Sequence, residues 1–148
     1  MNKKEYKYIT TISKPISDVF EFYSNPKNIN KLTPWFVKVT AIPEDRILIG
    51  STFEIRINIF GINSTWKILI KHFEENKIFT DLQLEGPFLY WEHNHIFELN
   101  NQKTIMHDVV KYKSILPIID KFGFLTLVFK LIFYYRKRKI LSIFREQK

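Results

Sequence analysis

Apolar and polar residues alternate most regularly from Phe53 to Ile59, where Phe53, Ile55, Ile57 and Ile59 interleave with Glu54, Arg56 and Asn58. A two-residue period sends them to opposite faces of a half-buried strand. Looser alternation predicts further strands over 6–13, 36–42, 65–73, 78–84, 88–99 and 104–113. Turn residues separate the later ones: Phe60 to Asn63, Glu74 to Lys77, Gly86-Pro87 and Asn100 to Gln102. Near the start, Ser13 to Asp18 brings cap-type residues and Pro15 to a helix start, and Val19, Phe20, Phe22 and Tyr23 follow at helical spacing. Asn25-Pro26 ends that helix, and Lys27 to Leu32 forms a second one before Thr33-Pro34-Trp35.

After Pro117 the period changes. Leu125, Phe129, Ile132, Phe133, Arg136, Ile140 and Phe144 fall roughly on one side of a helix from Phe122 to Phe144, about six turns long, with Gly123 in its first turn. One strand, two short helices, six strands and a long helix imply a single α+β domain over 1–148. A strongly curved antiparallel sheet of about seven strands, wrapped on the long helix, buries both elements.

The turns also predict register. Centring the last hairpin on Asn101-Gln102 pairs Phe97 with Met106, His95 with Asp108 and Trp91 with Tyr112. Centring the preceding one on Gly86 pairs Gln83 with Leu89, Asp81 with Trp91 and Phe79 with His93. The earlier turns add Trp66, Ile68, Ile70 and His72, then Phe53, Ile55, Ile57 and Ile59, to the same side. One face so collects aromatic and aliphatic side chains at one end, and Asp81, Gln83, His93, His95, Asp108 and Tyr112 at the other. The opposite face, with Glu54, Arg56, Lys67, Lys71, Tyr90, Glu92 and Asn94, reads as solvated.

Composition adds three constraints. Aromatic residues make up 16% of the chain, enough to wall an apolar pocket as well as a core. The chain has no cysteine, which excludes disulfides and thiolate metal sites. The net charge of +8 sits mostly from Lys130 onward, so a general nucleic-acid role is not expected. The first residues lack the apolar run of a signal peptide, which makes a cytoplasmic location the expectation. Charges interrupt the apolar stretch from Ile115 to Tyr135, and its unbroken part is too short to span a bilayer.

The strings GPFLYWEHNHIF and TIMHDVVKY, with a later FYYR, resemble the cyclase/dehydrase-like, ligand-binding branch of the START/SRPBCC helix-grip superfamily. The pattern falls on Gly86, Pro87, Phe88, Trp91, His93, His95, Phe97, Thr104, Met106, Asp108 and Tyr112. The likeness extends from ITTISKPISDVFEFYSNP to the terminal helix. It implies a cavity between sheet and long helix for lipid-, sterol- or polyketide-like molecules. Some relatives are aromatase/cyclases and others only carry or sense ligands, so the fold leaves activity open.

The residues expected around such a ligand are Phe53, Ile55, Trp66, Phe79, Asp81, Gln83, Trp91, His93, His95, Phe97, Met106, Asp108, Tyr112, Phe129, Phe133 and Arg136. His93, His95 and Asp108 are also the candidates for acid–base chemistry, because a carboxylate beside an imidazole selects its tautomer and raises its basicity. Their plainer role is a buried polar network whose members satisfy one another. A metal held by His93, His95 and Asp108 is the lesser alternative, and no metal is expected, since zinc-type sites have more characteristic spacing. No Gly-rich nucleotide loop occurs, and no cofactor is expected. Arg136 is expected to turn inward toward Asp81 or Asp108, since a buried charge needs a partner. Lys137 to Lys139 read as a solvated face, with contact to an anionic membrane as the alternative. Trp35 reads as a packing anchor, or alternatively as part of a cavity entrance.

Overall fold

The computed structural model describes residues 2–40, 46–59, 61–116, 118 and 123–146. Strand β1 (Lys4–Ile12) is followed by helices α1 (Ile16–Ser24) and α2 (Pro26–Leu32). Six strands come next: β2 (Val37–Thr40), β3 (Thr52–Ile59), β4 (Ile62–Glu74), β5 (Ile78–Glu85), β6 (Phe88–Asn100) and β7 (Lys103–Ser114). Helix α3 (Phe124–Glu146) closes the order. The seven strands form one antiparallel sheet in the order β1-β7-β6-β5-β4-β3-β2. The first strand therefore pairs with the last, and α3 crosses the concave face.

Pro26 opens α2 where its missing N–H costs nothing, and the Asn25 side chain accepts from the Lys27 amide. Gly123 has φ +71, in the left-handed region, so α3 begins at Phe124 rather than running through the glycine. Phe122 and residues 41–45 lie outside the described residues. The strand expected over 36–42 is observed from Val37 to Thr40.

The turn Asn101-Gln102 has φ of 46° and 63°, the left-handed pair of a tight two-residue hairpin. It sets Phe97 against Met106, His95 against Asp108 and Trp91 against Tyr112, as expected. The Gly86-Pro87 hairpin is displaced by two residues from expectation. Asp81 lies opposite His93 and Phe79 opposite His95. Pro87 has no N–H for a tight ladder, and regular β5–β6 pairing stops at Leu82 and Glu92. Beyond it, the Gln83 amide donates to the Phe88 carbonyl at 2.8 Å. A shift of two keeps every side chain on its expected face.

Two further expectations fail for local reasons. A register shift between Ile70 and His72 turns His72 outward and brings Phe73 onto Phe20. On the outer face Glu92 is buried, accepting from Lys71 at 3.0 Å and from Tyr90 at 2.9 Å, so that face is not uniformly solvated. Phe20, Phe79, Phe97, Met106 and Ile140 fill the closed end between sheet and helices. Phe20 meets Phe73, Phe79 and Phe97 edge-on. Trp91, Val110, Tyr112, Phe129 and Phe133 form a separate aromatic layer.

Candidate functional site

Between the concave face and α3 lies a cavity of about 730 Å³, within the range usual for small-molecule sites. Strands β3 to β6 supply Phe53, Ile55, Trp66, Phe79, Asp81, Trp91, His93 and His95 to its wall, and α3 supplies Phe129, Phe133 and Arg136. These are eleven of the sixteen residues expected around a ligand. The other five stand behind the wall. Phe97 and Met106 pack into the closed core, Tyr112 lies edge-on to Phe129, and Gln83 is engaged with Phe88. Asp108 lies behind the two histidines.

Sequence reasoning missed the contribution of α1, α2 and the loops. Tyr23, Ile29, Leu32, Pro34, Phe36, Ile115 and Leu116 also line the space. The helical spacing of Phe22 and Tyr23 on α1 marks an inward face, but the closing of α1, α2 and α3 over the cavity is tertiary packing that spacing does not report.

Period-two spacing on β6 places the rings of His93 and His95 side by side, 3.8 Å between centroids. His93 Nε2 bonds Asp108 Oδ1 at 2.8 Å. Because an ionised carboxylate only accepts, the imidazole donates, and its Nδ1 is left unprotonated in the neutral ring. His95 Nε2 bonds Asp81 Oδ2 at 3.1 Å. Its Nδ1 lies 3.1 Å from Asp108 Oδ1, close enough for ion pairing but without hydrogen-bond alignment. The His95 ring also stacks on Phe79 at 4.3 Å.

These surroundings drive the two histidines apart. Burial, reinforced by the charge of His95, pushes His93 down to about 4, against the pull of Asp108. Burial acts on His95 in the same direction, but Asp81 and Asp108 together outweigh it and raise His95 above 6.5. Burial would raise Asp108, yet the hydrogen bond from His93 and the close imidazole of His95 hold it well below the ordinary carboxylate range. His93 is therefore neutral and Asp108 ionised at neutral pH, while the surroundings of His95 shift it toward its charged form relative to a free imidazole.

Arg136 does not reach the carboxylates as expected. Among the described residues it forms no ion pair, and its guanidinium lies against Tyr23 and Phe133 with Nε buried and unbonded. Trp35 is 92% exposed and is no packing anchor. For a metal, Asp81 rather than Asp108 groups with His93 and His95, their ligand atoms lying within 4.8 Å of one another. Both histidine Nε2 atoms are already held by carboxylates, so a cation would compete with the His95–Asp81 hydrogen bond. Among the described residues, no helix is long and apolar enough to cross a membrane.

The architecture is shared with solved structures of very different sequence. A START superfamily protein from Mycobacterium smegmatis superimposes with a TM-score of 0.73 at 13% identity, covering 99% of this chain and 100% of that one. The major latex-like protein 151 of Panax ginseng gives 0.71 at 16% identity, covering 95% and 96%. Protein TTHA0849 from Thermus thermophilus gives 0.66 at 17% identity, covering 95% and 99%. No protein-family model and no curated protein matches the sequence. The chain has the helix-grip fold, which it shares with that START superfamily protein.

Proposed function

We propose that this protein binds a small, largely apolar molecule of lipid, sterol or polyketide type, with its polar end at the Asp81, His95 and Arg136 side of the cavity. One observation carries the reading. Among the described residues, six buried side-chain polar atoms have no hydrogen-bond partner. Four of them belong to cavity-lining residues: Trp66 Nε1, Asp81 Oδ1, His95 Nδ1 and Arg136 Nε. Buried polar groups are ordinarily satisfied. Their concentration around an aromatic-walled space is the pattern of a site that orients one polar group and buries the rest. Arg136 and Trp66 donate and Asp81 accepts, which suits a hydroxyl or a hydroxyl–carbonyl pair.

The test is native mass spectrometry of protein from its own host, beside an Ile55→Trp variant that narrows the cavity. A retained compound at one per chain, lost in the variant, is the expected result. Equal retention by both proteins sinks the reading.

The opposed histidines favour a second reading, a cyclase/dehydratase-type enzyme. Two adjacent groups with pKa values driven apart form an acid–base pair. Neutral His93 is the base at Nδ1, charged His95 is the acid, and Asp108 orients both. In this reading His95→Gln abolishes turnover of a bound polyketide-type substrate and spares its affinity. Parallel loss of turnover and affinity leaves binding as the only role.

A further inference from the structure

Leu131, Ile115 and Leu116 line the cavity and yet remain 59%, 51% and 53% exposed, so they mark where it opens to solvent. Trp35, also exposed, stands between the lining residues Pro34 and Phe36 in the chain. On α3, Leu127 and Phe124 continue the strip one and two turns before Leu131, each more than half exposed. The outward face of a surface helix is ordinarily polar. A contiguous exposed apolar patch of this kind marks an interaction surface.

The charge around the opening is one-sided. Residues 25–40, 111–116 and 123–136, which carry these side chains, contain seven Lys or Arg and no acid. The remainder of the chain, including the Asp120-Lys121 pair and the end of α3 at the closed core, has sixteen Lys or Arg and fifteen acids. The surplus of +8 is thus +7 on the segments around the opening and +1 elsewhere. Lys130 is exposed on α3 beside Leu127 and Leu131, Lys38 is exposed three residues after Trp35, and neither forms an ion pair among the described residues.

We propose that the cavity mouth docks on the surface of an anionic lipid bilayer. Trp35, Leu127 and Leu131 enter the interfacial layer, while Lys38 and Lys130 meet the headgroups. A nucleic acid would complement the charge and leave the aliphatic rim unburied in water; a bilayer complements both. Docking in this orientation opens the cavity onto the acyl region, so an apolar ligand enters without crossing water. The contact is centred on the mouth rather than on Lys137 to Lys139. Two of those side chains lie over Tyr8 and Tyr135 of the protein itself.

The test is co-sedimentation with phosphatidylcholine vesicles, with and without phosphatidylglycerol, in low and high salt. The wild type should sediment with the anionic vesicles only, and less so in high salt. Lys38→Glu with Lys130→Glu should weaken this about tenfold or more, and Trp35→Ser with Leu127→Ser should abolish it. All four side chains are exposed, so melting temperatures should match the wild type and confirm folding. An apolar fluorescent probe in vesicle-free buffer should still bind both variants, which separates docking from cavity binding. Brominated lipid should quench Trp35, the most exposed of the three tryptophans. Undiminished vesicle binding by both variants, equal binding to neutral vesicles, or binding to RNA without binding to vesicles overturns the proposal.

Discussion

The imidazoles of His93 and His95 lie 3.8 Å apart, yet the fold drives them toward opposite protonation states. Two adjacent charged rings would repel, and only one of them has a carboxylate on each side. Asp81 and Asp108 both lie within ion-pairing distance of His95, whereas among the described residues His93 pairs directly with Asp108 and feels Asp81 only at longer range. Nitrogen chemical shifts followed through a pH titration should show one ring changing at about pH 4 and its neighbour above 6.5. Coincident titration of both rings near 6.5 would contradict this electrostatic assignment.

The depressed His93 gives stability a direction on the acid side. Its folded pKa of about 4 lies below the ordinary 6.5, so between these values the unfolded chain binds more protons than the native one. Stability then falls as pH drops from 6.5 toward 4, by at most about 3 kcal/mol. His95 has the opposite sign. Its raised pKa contributes stability that is complete below 6.5 and is lost as pH rises through the folded value. Denaturant melts of wild type and His93→Phe across this range should differ in slope, with the variant losing less on acidification.

Asp108 is the common partner of both rings, and its removal should separate their behaviour. In Asp108→Asn the side-chain shape persists and the charge does not. His95 loses one of its two stabilising carboxylates and should titrate lower, while His93, already neutral, keeps an acceptor for its Nε2 proton. Breaking a buried charged network commonly costs about 3–5 kcal/mol, and a melting curve should show a loss of that order. An unchanged His95 titration would mean that Asp81 alone sets its pKa.

Element order and the inward faces were legible in the sequence because periodicity reports them directly. Phe53, Ile55, Trp66, Trp91 and Phe129 could be assigned to the inward faces on spacing and turn positions, with the cavity itself implied only by the resemblance. The Asn101-Gln102 turn specified its hairpin residue for residue, since a two-residue loop leaves no slack. Gly86-Pro87 did not, because proline interrupts the ladder and side-chain bonding from Gln83 takes over. That two-residue displacement concealed the Asp81–His95 contact. The register shift after Ile70, which exposes His72, has no periodic signature. The unpaired state of Arg136 is a matter of packing between separate elements, as is the volume enclosed by them. Neither is encoded in any local pattern.

Arg136 offers the clearest separation of function from stability. Its Nε is buried without a partner, and among the described residues no carboxylate neutralises its charge. Replacing such a group with an apolar side chain of similar length removes a desolvation penalty and keeps the packing of its stem against Phe133 and Tyr23. Arg136→Met should therefore leave the melting temperature unchanged or raise it, where a truncation such as Phe133→Ala should cost about 3–5 kcal/mol. The same Arg136→Met change removes a donor placed at the cavity wall and should weaken binding of a hydroxyl- or carbonyl-bearing ligand by about tenfold. Calorimetric titration with whatever compound the wild type retains measures that loss. A variant that is markedly less stable, with affinity unaltered, would make Arg136 a structural residue and remove it from the site.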